Sequence, residues 1–139
     1  MKEPVWVLRE TVRALHERLL AEFGGASGVR DEGMLESALS RPANQFSYGS
    51  PSIPELAAAY AFGLVRNHPF VDGNKRIGFT TAVLFLEVNG YRFTASEVDA
   101  TVKTLALAAH YLDEAGYAAW LKTGSKLLRS RSKGRGRSG

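Results

Sequence analysis

Cysteine is absent from the 139 residues, which excludes disulfides, thiolate chemistry and cysteine-based metal sites and is compatible with a reducing compartment. No apolar run approaches membrane-spanning length, and the N-terminus MKEPVWVLRE has no apolar stretch of the signal-peptide kind. A cytoplasmic chain without membrane association is the expectation. Acid is missing from the C-terminal end: six of the 18 Lys and Arg residues lie from Lys126 onward and none of the 14 acids does. Residues 1–125 therefore hold 12 cations against 14 acids, and the formal charge of +4 describes the end of the chain more than its body. No internal repeat or low-complexity stretch precedes residue 126.

What is present suits one globular domain, with 45% apolar residues and enough length for a real core. We expect a domain over 1–125 and a basic, disordered tail over 126–139. The tail could meet RNA, DNA or an acidic surface through phosphate contacts. Nothing aromatic is interleaved in it for base stacking, so it reads as a solubilising end and nucleic acid is not favoured as a partner.

Hydrophobic periodicity predicts about six helices. Leu8, Val12, Leu15, Leu19 and Phe23 recur at helical spacing until Gly24-Gly25. Asp31 caps a second helix with Met34, Leu35, Ala38 and Leu39 inward, ending before Pro42. The segment NQFSYGSPSI, 44–53, has the punctuation of an exposed extended piece in which Phe46 and Tyr48 alternate. It is either a short strand or flap able to hold an extended peptide, or an ordinary connection. Pro54 opens a third helix that stops near Asn67, with Leu56, Ala59, Tyr60, Gly63 and Leu64 inward. Residues 74–89 are apolar on nearly every face, which predicts the central helix, closed by Gly90. Residues 91–93 form an extended link, Thr94 or Ser96 caps a fifth helix, and Asp113 caps a last one. The fold class is all-α, wrapped around the 74–89 helix, with a short β-hairpin or extended flap. His16 and His110 read as structural: His16 has no histidine four residues on, and His110 suits a helix C-terminus.

Between the third and fourth helices stands HPFVDGNKRIGFT, 68–80. Its last residues open a helix whose first backbone N–H groups have no helical partner and carry partial positive charge. Lys75 and Arg76 oppose that dipole, and a bound phosphate would remove the conflict. His68 is the side chain suited to take a proton from an alcohol near neutral pH. Asp72 offers the one hard oxygen that Mg²⁺ bridging phosphates takes from protein. Gly73, Asn74, Lys75 and Arg76 would hold and neutralise the phosphates, with Arg76 on the transferring group, and Phe70 points inward to anchor the loop.

H68-P69-F70-V71-D72-G73-N74-K75-R76 resembles the Fic/Doc signature H-P-F-x-[DE]-[GA]-N-[GK]-R at every position. ALHERLLAEFGG, GVRDEGMLESALSRP and LFLEVNGYRF are similar in order and spacing to its Doc, or death-on-curing, branch, over about Val5 to Lys122. The resemblance implies a compact bundle of six helices and a flap, here 44–53 with Phe46 and Tyr48, that aligns a target segment. AMP-transferring members have glycine where Lys75 stands and a second arginine where Phe79 stands. The Doc branch shares the lysine, which implies a toxin of a type II toxin-antitoxin system. Such a toxin moves the ATP γ-phosphate to a threonine of elongation factor Tu and halts translation. Arg66 matches a basic position of that branch that stabilises the transferring phosphate, while Thr80 stands where the branch carries asparagine. No Ser or Thr has Glu four residues later, so no internal inhibitory helix is implied, and inhibition falls to a Phd-like antitoxin acting in trans. AMP transfer is the nearer alternative, and a catalytically silent phosphate- or nucleic-acid-binding module the more distant one.

Overall fold

A computed structural model describes residues 2–128. Its elements are α1 (Arg9–Phe23), α2 (Glu32–Tyr48), α3 (Ile53–Asn67), α4 (Asn74–Val88), β1 (Tyr91–Phe93), α5 (Glu97–Ala108), α6 (Glu114–Thr123) and β2 (Ser125–Leu127). The all-α class with six helices is borne out, and the extended component is a two-stranded antiparallel pair of β1 with β2. Tyr91 faces Leu127 and Phe93 faces Ser125. The pair takes in Lys126 and Leu127, two residues from the segment expected as tail, while 129–139 lie outside the described residues.

Local chemistry explains most boundaries. Asp31, Ser96 and Asp113 each accept a hydrogen bond from a backbone N–H in the first turn that follows, so three starts are fixed by caps. Helix α3 begins on a capping box in which Ser52 and Glu55 satisfy each other's backbone N–H groups. Gly90 takes φ 93° just beyond α4, the left-handed conformation that a helix end favours there.

Four expectations are corrected. Helix α2 does not stop before Pro42 but runs through it to Tyr48. Tertiary contacts override the proline: Gln45 hydrogen-bonds Glu114 and Phe46 packs edge-on against Trp6 at 5.7 Å, so Asn44–Tyr48 is helix and not an extended flap. Met34 is 42% exposed, so the inward face of α2 rests on Leu35 and Ala38. The central helix is α3, not α4. Helix α3 packs against α2, α4 and α6 and buries Leu56 through Ala61 without interruption, along with Leu64 and Val65. Its run of alanines lets neighbours approach on every side. At Gly63 a Cβ would lie 2.9 Å from the Ala38 Cα, so glycine is what permits α2 to close on α3.

The N-terminal segment before α1 closes the far side. Val5 exchanges hydrogen bonds with Asn89 at 2.8 and 2.9 Å, and the Val7 N–H donates to the Tyr60 hydroxyl at 3.0 Å. Opposite, burial pushes the Tyr117 phenol up to about 12, and it shares a 2.8 Å hydrogen bond with Thr104.

Candidate functional site

The chain leaves α3 at His68, which takes the left-handed conformation at φ 53°, ψ 53° because Pro69 disfavours the helical one. That turn leaves the last carbonyls of α3 without helical partners. Arg30 answers them: its Nε donates to the His68 carbonyl at 2.7 Å and Nη2 to that of Asn67 at 3.0 Å. The α1–α2 connection then lies along the motif loop. The N–H groups of Arg30 and Asp31 both donate to the Pro69 carbonyl, and the Val71 N–H donates to Gly28 at 3.0 Å. Val29 and Phe70 form an isolated β-bridge.

Beneath the loop sits Phe70, 1% exposed, its ring stacked on His16 at 3.8 Å between centroids. His16 is 2% exposed, and its Nε2 lies 2.7 Å from the Asp72 carbonyl, to which it donates. The structural reading of His16 holds, and it is sharper than sequence alone gave: this histidine carries the motif loop from below. Its isolation from any partner histidine concealed that, because the contact lies 56 residues away. Replacing His16 by leucine keeps an apolar body but strands the Asp72 carbonyl, so stability should fall by about 1–3 kcal/mol. Amide hydrogen exchange should accelerate first in residues 68–73; unchanged protection there would refute the role.

Gly73 takes φ 78° and opens α4 without any side-chain cap. The first helical bond of α4 runs from Ile77 N–H to the Gly73 carbonyl, and no acid stands in the first turn. The N–H groups of Asn74, Lys75 and Arg76 thus have no helical partner at the positive end of the dipole, where Lys75 and Arg76 are exposed. A helix start of this kind is suited to an anion. The Arg76 guanidinium lies 4.1 Å over the ring of Phe23, at the end of α1.

Asp72 is exposed and steadied on both oxygens, Oδ1 accepting from the Gly73 N–H at 2.8 Å and Oδ2 from the Ala26 N–H at 3.3 Å. A Cβ on Gly25 would come within 2.9 Å of Oδ2, so the α1–α2 connection needs glycine beside the carboxylate. Each oxygen keeps a lone pair for a cation. No group of three or more His, Asp or Glu side chains gathers among the described residues, so a resident metal cage is not built here. One carboxylate completed by water and phosphate oxygens is the coordination Mg²⁺ prefers, and the donor set fits it.

Asn74 departs from the phosphate-facing role expected of it. It is 3% exposed, its Oδ1 accepting from the Phe70 N–H and its Nδ2 donating to the Phe70 carbonyl, both at 2.9 Å. Its second Nδ2 hydrogen points to His68 Nδ1 at 3.1 Å. The backbone N–H of Asn74, not its side chain, is what remains for an anion.

Arg66 does not turn toward the motif. Helix α3 ends at Asn67, as reach required, but the Arg66 Nε donates to the Leu107 carbonyl at 2.9 Å and its guanidinium lies 4.7 Å over Phe62. It lines a groove of about 1130 Å³ between α2, α3 and the start of α6, with Arg41, Asn44, Tyr48, Phe62 and Glu114. Tyr48 stands at its lip, 90% exposed, whereas Phe46 is turned into the fold against Trp6. The structure thus brings His68, Phe70, Asp72, Gly73 and Asn74 into one hydrogen-bonded loop, with Lys75 and Arg76 on the helix it opens. Arg66 and Tyr48 belong to the neighbouring groove. Phe79 packs with Phe93 at 5.4 Å and Trp120 at 6.4 Å, an apolar setting that no phosphate would share.

Comparison with known proteins follows the same residues. The sequence model of the Fic/DOC family matches residues 6–86. "Toxin Doc" of Mycolicibacterium smegmatis (strain ATCC 700084 / mc(2)155) is 45% identical over 76 residues, 52% of this chain and 58% of that protein. "Protein kinase doc" of Escherichia phage P1 is 34% identical over 82 residues, 58% of this chain and 65% of that protein. The chain spans less than two thirds of the length of these curated relatives.

Proposed function

The chain belongs to the Fic/DOC family, and from that premise we propose that it is a Doc-type toxin acting as an ATP-dependent protein phosphotransferase. One observation carries the reading: an uncapped α4 N-terminus, flanked by Lys75 and Arg76, opens directly out of a loop that presents His68. Phosphoryl transfer is mostly positioning and charge stabilisation, and this arrangement supplies both. The free N–H groups of residues 74–76 and the two cations hold phosphate oxygens. His68 takes the proton of a target Ser or Thr hydroxyl as the new P–O bond forms and the bond to the departing ADP breaks. Mg²⁺, when bound at Asp72, supplies neutralisation of phosphate charge. Arg66, from the adjoining groove, assists only if its bond to the Leu107 carbonyl opens.

Transfer of the γ-phosphate is favoured over AMP transfer by two side chains. Lys75 fills the position where close approach of a diphosphate to the backbone needs glycine, and Phe79 sits in an aromatic cluster where a second phosphate-gripping arginine would be required. The names of the two relatives, a toxin and a protein kinase, support the same reading. The target is a translation factor, elongation factor Tu, presented along the groove that Tyr48 borders, and a Phd-like antitoxin inhibits in trans in the cytoplasm. The domain responsible is the one expected over residues 1–125, extended by the β2 residues Lys126 and Leu127.

Incubating the protein with bacterial lysate and ATP labelled at either the α or the γ phosphate tests the reaction. Label should reach one protein band from γ only. Label from α only would establish AMP transfer, and label from neither would leave the silent phosphate-binding module.

A further inference from the structure

The amide of Asn74 is oriented by partners that leave no choice. A backbone N–H can only donate, so the Asn74 atom 2.9 Å from Phe70 N is the oxygen; a carbonyl can only accept, so the atom 2.9 Å from the Phe70 oxygen is the nitrogen. That nitrogen has two hydrogens. One serves Phe70, and the other faces His68 Nδ1 at 3.1 Å. A ring nitrogen that faces an N–H must offer its lone pair, and in a neutral imidazole the single proton then sits on the other nitrogen.

We infer that Asn74 is a positioning residue that fixes neutral His68 as its Nε2–H tautomer and so withholds the basic nitrogen from a target hydroxyl until the Asn74–His68 hydrogen bond opens. The tautomer follows from the geometry; its consequence rests on the phosphotransferase reading. In the latched state the outward nitrogen presents an N–H, a donor suited to a phosphate oxygen. It has no lone pair for a hydroxyl proton. Base action at Nε2 needs the ring proton on Nδ1, where the Asn74 N–H opposes it. Passage between the two states conserves protons, one leaving Nε2 to water as another arrives at Nδ1 from water. Seating a target would thus activate the histidine by drawing it off Asn74, and the same bond keeps the resting ring from abstracting protons from water in the ATP-bound enzyme.

The test is spectroscopic and uses the full chain with ¹⁵N-labelled histidine, at alkaline pH. His16 provides the Nε2–H reference through its bond to the Asp72 carbonyl, and the exposed His110 provides the unconstrained mixture. His68, assigned by the signal lost in His68→Gln, should show a protonated Nε2 and a bare Nδ1, with less of the other tautomer than His110. Asn74→Asp should reverse the pattern, because a carboxylate accepts from Nδ1–H as it does beside catalytic histidines. A wild-type ring protonated at Nδ1, or one indistinguishable from His110, overturns the inference. So does an Asn74→Asp chain with native circular dichroism whose His68 remains Nε2–H. The wild-type spectrum decides alone if that variant does not fold. Phosphate transfer measured on the same sample separates the two readings: no transfer with the expected ring pattern sinks the phosphotransferase alone, and transfer with an Nδ1–H ring sinks the latch alone.

Discussion

Transfer of the γ-phosphate should fall by roughly 10²–10⁴-fold when His68 is replaced by alanine, the usual range for losing a positioned proton carrier. The fold should be spared. His68 is exposed, its one side-chain hydrogen bond goes to Asn74, and Asn74 keeps both bonds to Phe70 without it. The Arg30 clamp grips the His68 carbonyl, which alanine also has. The left-handed turn at this position costs about 1–2 kcal/mol for either residue, so the substitution adds little strain. Circular dichroism and the thermal midpoint should match the parent while labelled phosphate no longer reaches the target. Undiminished transfer by His68→Ala would end the assignment of the proton-handling role to this residue.

Phe70→Ala should do the opposite damage first. A ring 1% exposed and stacked at 3.8 Å on a buried histidine cannot be removed without a void, and such truncations cost about 3–5 kcal/mol. Domains of this size have only about 5–15 kcal/mol in total, so the thermal midpoint should drop by on the order of 10–20 °C. The void opens between His16 and the loop, so the Asp72 carbonyl and the Asn74 amide lose the surface against which they are aligned. Transfer should then fall even at temperatures where the chain remains folded. A midpoint within about 2 °C of the parent would show that Phe70 is not the anchor. Set side by side, the two variants separate chemistry from support: His68→Ala is inactive and stable, Phe70→Ala inactive and fragile.

The parts of the fold that could be read from sequence are those decided locally. Caps at Asp31, Ser96 and Asp113 and the stop at Gly90 depend on a side chain and the nearest backbone groups; three stand where expected, and Ser96 is one of the two positions, with Thr94, expected to cap α5. The motif residues could likewise be named because a helix start with unmet N–H groups is a local arrangement. What could not be read is set by distant partners. Pro42 looked like an end because nothing nearby reveals that Glu114 and Trp6 hold the following turn of α2 in place. Helix α3 passed for an ordinary amphipathic helix because its apolar residues are mostly small, while the large ones of 77–88 pointed to α4 as the centre. Arg30 and His16, which hold the motif loop from above and below, gave no signal, since their partners lie 38 and 56 residues away. Asn74 shows the limit most sharply: the sequence offered an amide beside phosphates, and only the geometry turns that amide inward.

The short β-pair fixes where the described chain departs. Leu127 faces Tyr91, and the Leu128 N–H donates to the Gly90 carbonyl, so the polypeptide exits beside the C-terminal end of α4. The uncapped start of that 15-residue helix is at its other end, roughly 20 Å away at 1.5 Å per residue. An affinity handle, a fluorophore or an entire reporter domain joined beyond Leu128 would begin on the side remote from His68. Immobilising the protein through such an attachment leaves the 68–76 end facing solution, the orientation in which the proposed transfer and inhibition are best assayed.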